Sequence, residues 1–124
     1  PAVQTVFCPA LPAHQGHELW LRDCSGTNGL ISFELQPCIP AEAVDRFIDN
    51  LQLFGLGASW GGYESLVVAA QMTQARSVTD WSRRGSVVRL HIGLEDPQDL
   101  IADLAQAFER SGINELIRNS QAFV

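Results

Sequence analysis

Gly29-Leu30-Ile31-Ser32-Phe33-Glu34-Leu35 is apolar at Ile31, Phe33 and Leu35, with smaller or polar residues between them. Side chains along a β-strand point alternately to its two faces, so this period of two describes a strand covered on one face. Pro37 and Pro40 close it. Ala41 to Leu51 then places Val44, Phe47, Ile48 and Leu51 at three- and four-residue spacing. That is one apolar stripe on a helix, and the helix is expected to pack on the sheet.

The rest of the chain extends the pattern in both directions. Upstream, Val3 to Cys8 alternates loosely and stops at Pro9 and Pro12, as a short strand does where backbone donors run out. Gln15 to Asp23, around Leu19 and Trp20, predicts a short helix ended by the turn cluster Ser25-Gly26-Thr27-Asn28-Gly29. Downstream, a glycine-rich crossing from Phe54 to Gly62 leads to a strand over Ser65 to Ala70. A polar loop holding Arg83-Arg84-Gly85 separates it from a second strand over Ser86 to Ile92, its expected sheet neighbour.

Asp96-Pro97 opens the last strong helix, with a capping residue before a proline at the first helical position and Asp99 placed well against the dipole. Its expected stripe is Leu100, Ile101, Leu104 and Phe108, and Gly112 stops it. Ile113 to Val124 reads as a tail whose Leu116 and Ile117 need another surface to cover them. The sum is an α+β fold, a two-layer sandwich with helices on one face of a mainly antiparallel sheet.

With 124 residues, 46% of them hydrophobic, the chain has the size of one domain and can bury a core without metal or disulfide staples. A formal net charge of -6 disfavours nucleic acid and anionic membrane, because phosphate and lipid headgroups repel a net negative surface. The apolar segment around Ser65 to Ala70 is far short of the roughly 20 residues that span a bilayer. Cys8, Cys24 and Cys38 match no zinc spacing, and a reduced, cytoplasmic protein is expected. All eight basic residues are arginine. Without lysine, no side-chain amine is present to form a Schiff base.

Few residues offer chemistry. His14, His17 and Glu18 lie close in sequence, but Pro12 and Gly16 interrupt the helix that a metal pair would need, so no metal site is expected. Cys8 and Cys24 read as buried, inert thiols. Gly55-Leu56-Gly57-Ala58-Ser59-Trp60-Gly61-Gly62 lacks the lysine of a nucleotide loop. Two readings of it stay open: a tight crossover anchored by a tryptophan, or a close backbone approach in which the Trp60 amide and the Ser59 hydroxyl donate to an anion. Arg89 stands in the middle of Val87-Val88-Arg89-Leu90-His91-Ile92, where a charge needs a partner. Its fork fits a carboxylate, whether that of Glu95 or that of a substrate. His91, on the same face as Arg89, reads as a hydrogen-bonded framework residue rather than a base.

Ser59-Trp60-Gly61-Gly62-Tyr63-Glu64-Ser65-Leu66, followed by Val88-Arg89-Leu90-His91-Ile92-Gly93-Leu94-Glu95-Asp96, resembles the two signature stretches near the end of the pyridoxal-phosphate (PLP)-dependent enzymes of Cys/Met metabolism. His17-Glu18-Leu19-Trp20-Leu21-Arg22-Asp23 and the strand from Gly29 to Leu35 are similar to the same family, in the same order. The Ser-Trp-Gly-Gly run resembles the cystathionine β-lyase branch, since the γ-synthase and γ-lyase branches usually carry leucine where Trp60 stands. Ala58 departs from the tyrosine that β-lyases can carry there, which bears on side-chain selectivity.

The resemblance implies a carbon-sulfur lyase of transsulfuration and methionine biosynthesis. It implies that residues 1–112 are the C-terminal small domain of a fold-type I enzyme, with 113–124 a tail and the N-terminal PLP domain absent. Arg89, assisted by Ser59 and the backbone of Trp60, would bind the substrate α-carboxylate. Catalytic residues and the covalent cofactor site would lie on the missing domain, the chain's expected partner in a homotetramer, so the chain alone would be inactive and carry no PLP. The alternatives are a free-standing, non-catalytic amino-acid-binding or regulatory module on the same fold, or the domain of a related γ-lyase or γ-synthase.

Overall fold

The structure, a computed structural model, describes residues 1–121. Its elements in chain order are β1 (Val3–Phe7), α1 (His17–Asp23), β2 (Leu30–Leu35), α2 (Ala41–Asp49), β3 (Gly55–Leu56), β4 (Leu66–Ala70), α3 (Met72–Ala75), β5 (Val87–His91), α4 (Pro97–Arg110) and α5 (Ile113–Gln121). The strands form one sheet in the order β1-β2-β5-β4-β3. Every pairing is antiparallel except β3 with β4. This is the mainly antiparallel α+β architecture that the periodicity predicts.

Register assigns the two faces. Ser32 and Val68 are the cross-strand partners of Arg89, whereas Phe33 and Ala69 flank Val88. Phe33, Leu35, Val67, Val88 and Leu90 therefore share one face, and all are buried in the core with Val44, Phe47, Leu100 and Ala107 from α2 and α4. Phe47 is fully enclosed; its ring lies 4.4 Å from Phe108 and meets Phe33 edge-on at 6.2 Å. Enclosing such a ring is worth about 1.5–3 kcal/mol.

Local chemistry sets the helix ends. The Asp96 carboxylate accepts from the Gln98 amide at 2.7 Å, with Pro97 at the first helical position. Asp103, buried on α4, accepts from the Gln52 and Leu53 amides at 3.0 and 2.8 Å, tying the end of α2 to α4. Arg46 on α2 donates to the Ser111 carbonyl at 3.1 Å, which satisfies a helix-end acceptor.

Four expectations change. Ile113–Gln121 is a helix rather than a tail: Gly112, at φ +77°, lets the chain turn and restart, and Ile113 and Ile117 are buried against the core of this same chain. Residues 122–124 lie outside the described residues. Ile101 is 58% exposed, at the flank of the α4 stripe and not within it. The glycine-rich crossing contains β3, which joins the sheet through backbone bonds such as Gly55 N–H to Ser65 O at 2.9 Å. The polar loop contains the single turn α3.

Candidate functional site

The sheet face away from α2, α4 and α5 carries the polar side chains of the central strands. On it, Arg89 lies half-buried on β5, the middle strand of the sheet. Its Nη2 donates to the Ala58 carbonyl at 2.5 Å, so the guanidinium touches the loop that presents Ser59 and Trp60. Both loop residues are exposed, Trp60 at 65%. A cleft of about 370 Å³ opens beside the arginine, lined among others by Phe7, Ser32, Trp81 and Val87.

Glu95 is not the partner of Arg89. Its carboxylate accepts from the Ser65 amide at 2.8 Å and the Ser65 hydroxyl at 2.7 Å. The Ser65 amide first, then the hydroxyl, hold Glu95 below the usual glutamate pKa. Among the described residues the ion pairs are Arg22 with Asp23 and Arg84 with Glu34. The Arg89 fork thus has no carboxylate of the described residues against it.

Glu34 and Arg84 are features that strand periodicity did not single out. Glu34 sits on β2, facing away from the core yet buried. It takes the Arg84 fork on both carboxylate oxygens, with Nε to Oε1 at 3.0 Å, and also accepts from the Gly85 amide at 3.3 Å. Its hydrogen bonds raise the already high pKa of Arg84. The guanidinium carbon stacks 3.9 Å over the Trp81 ring, a cation–π contact. A side chain at Gly85 would drive its Cβ to 1.7 Å from the Leu35 carbonyl. The available signal was the pairing of a lone strand glutamate with Arg83-Arg84-Gly85 ahead of the next strand.

His91 is buried, and its ring meets the Gly61 amide and the Gly62 carbonyl. The remaining sequence candidates are spent elsewhere. His17 Nδ1 contacts the Pro9 carbonyl at 2.8 Å, and its ring stacks on Trp20. Among the described residues no group of three or more His, Cys, Asp or Glu side chains is placed to hold a metal ion. Cys8, Cys24 and Cys38 are free thiols, and the expected burial fails: Cys8 is half-buried and Cys24, at the end of a helix with no buried residue, is exposed. No described helix is long and apolar enough to cross a membrane.

These observations define a class: a two-layer α+β domain whose open face offers a guanidinium with no carboxylate partner among the described residues, seated against a glycine-rich loop. The family model of the Cys/Met metabolism PLP-dependent enzymes matches residues 1–109. The chain belongs to that family. It is 47% identical over 113 residues to cystathionine beta-lyase of Haemophilus influenzae, covering 89% of this chain and 28% of that protein. It is 40% identical over 109 residues to an L-alanine/L-glutamate racemase of Wolbachia pipientis wMel, covering 87% of this chain and 27% of that protein. Among solved structures, cystathionine gamma synthase of Xanthomonas oryzae pv. oryzae in complex with cystathionine superposes with a TM-score of 0.73 at 33% identity, over 89% of this chain and 29% of that one. The chain thus spans under a third of the curated relatives it matches.

The coenzyme of the family does not fit these residues as a covalent guest. Its aldehyde is held by a lysine amine, and the sequence contains no lysine. The chemistry that the open face can perform is anion binding and orientation.

Proposed function

We propose that this chain is the small domain of a PLP-dependent carbon-sulfur lyase of the cystathionine β-lyase type, converting L-cystathionine to homocysteine, pyruvate and ammonia. Its share of the work is to clamp the substrate α-carboxylate. Arg89 supplies the charge, with the Ser59 hydroxyl and the Trp60 amide as further donors. A lysine-bearing domain supplies the coenzyme, and this chain alone forms no coenzyme imine and turns over no substrate.

The observation that carries the proposal is the Arg89 guanidinium, set on the open face with no carboxylate among the described residues against it. An unpaired charge in a half-buried position is costly unless a ligand completes it. A carboxylate held there fixes rotation about the substrate Cα, which is a positioning contribution to rate. The relatives support this division of labour. Proteins named as a lyase and an amino-acid racemase share this part of the chain at 47% and 40% identity, so its role is one that different reactions at an amino acid can use. Trp60, in a Ser-Trp-Gly-Gly run, favours the β-lyase branch over the γ branches.

The test is Arg89→Ala in the polypeptide that joins this chain to its lysine-bearing domain. Loss of a charge-assisted pair, about 2–3 kcal/mol, lowers kcat/KM for L-cystathionine by roughly 30- to 150-fold, chiefly through KM. Unchanged kinetics would return Arg89 to a structural role.

A further inference from the structure

The segment from Ala58 to Glu64 is exposed at every residue. Seven residues with two glycines lose conformational freedom on ordering, at about 1–2 kcal/mol each for the backbone alone, and an exposed loop has little packing to offset that. Its carbonyl at Ala58 nevertheless receives Arg89. Something must hold the loop in register with the guanidinium.

Two groups do so, both carried by the strand end that bears Arg89. His91 is two residues along β5, on the same face, and only 7% exposed. Its Nε2 lies 3.0 Å from the Gly62 carbonyl, and the Gly61 amide points at the same ring, 3.2 Å from Nε2 and 3.5 Å from Nδ1. One buried ring thus touches the backbone of two successive loop residues, Gly61 and Gly62. Past the strand, Glu95 takes both the amide and the hydroxyl of Ser65. The same hydroxyl oxygen accepts from the Gly93 amide at 2.9 Å, and the Leu94 amide donates to the Tyr63 carbonyl at 2.9 Å. The turn between them has no room to vary: a Cβ at Gly93 would lie 2.3 Å from the Tyr63 carbonyl.

We propose that His91 and Glu95 are positioning residues for the Arg89 site, a two-point latch that seats the Ser59–Trp60 loop over the guanidinium before substrate arrives. The inference rests on the carboxylate-clamp reading and adds to it the groups that set the clamp's geometry. His91 fixes the middle of the loop and Glu95 fixes its far end. Neither reaches the anion. With the latch intact, the ordering cost of the loop is met on folding; with it broken, that cost falls on substrate binding.

The experiment compares Arg89→Ala, His91→Ala, His91→Gln and Glu95→Ala in the full-length enzyme, with amide hydrogen exchange of Gly61 and Ser65 measured alongside. His91→Ala and Glu95→Ala are expected to raise KM about tenfold with a smaller change in kcat, and to deprotect the Gly61 and Ser65 amides respectively, while the β2–β5 amides stay protected. His91→Gln, whose amide sits near the Nε2 position, is expected to recover most of the KM. If Arg89→Ala raises KM but neither latch variant does, the latch is overturned and the clamp stands. If Arg89→Ala leaves KM unchanged, the clamp itself fails. If His91→Ala unfolds, Glu95→Ala and His91→Gln decide: wild-type KM in Glu95→Ala with a deprotected Ser65 amide overturns the proposal.

Discussion

The two faces of the sheet obey different rules. Phe33, Leu35, Val88 and Leu90 point to helices and are buried, so their interactions are non-directional and the identity of each residue matters mainly through volume. Ser32, Glu34, Arg89 and His91 point the other way, and the last three enter charge-assisted or backbone hydrogen bonds with defined partners. The first face tells the chain how to fold. The second leaves the Arg89 guanidinium without a carboxylate partner among the described residues, the mismatch on which the proposed carboxylate clamp rests.

Substitutions on the two faces should therefore fail differently. Phe47→Ala, which empties the Phe33–Phe47–Phe108 contact, is expected to cost about 3–5 kcal/mol in denaturant unfolding. A cost under about 1 kcal/mol would show that the covered face is not the source of stability. Arg84→Met leaves buried Glu34 without its fork, but the arginine is 36% exposed, so solvent screening reduces the loss to about 1–3 kcal/mol. The same unfolding measurement in 1 M salt sharpens the point: a gap between wild type and variant that survives salt places the pair on the buried side of the distinction.

The smallest effect is a pH dependence at Glu95. Its pKa is lowered in the folded protein, chiefly by the Ser65 amide. A depressed folded value means that the stabilisation is complete above the ordinary glutamate pKa, about 4.3, and is lost as pH falls through the lower folded value. The stability gap between wild type and Glu95→Gln should therefore be constant near neutrality and shrink as the pH drops below about 4. A gap that persists at pH 2 would mean that the carboxylate charge is not what holds Ser65.

Much of the covered face was legible because burial writes periodicity into sequence. The alternation in β2 and the three- and four-residue stripe of α2 needed no other information. The misses have physical causes. β3 is two residues held by backbone bonds, which leave no side-chain signature. α5 followed a glycine that reads as a terminator, although Ile113, Leu116 and Ile117 already carried helical spacing. Ile101 was assigned to the apolar stripe because period alone does not locate its edge. On the open face, Arg89 was visible as a charge out of place, but its two possible acids looked alike until Glu95 was found on Ser65. The latch and the Glu34–Arg84 pair join residues 29 to 50 positions apart, a distance over which a single sequence does not say which charge meets which.

The burial of Ile113 has a consequence for synthesis on the ribosome. The other described elements are all translated before α5, yet the pocket that Ile113 and Ile117 fill against α2 and α4 stays open until α5 has left the exit tunnel. A nascent chain halted before that point would display an unfilled apolar hollow. It would be a natural client for chaperones until α5 arrives to seal it.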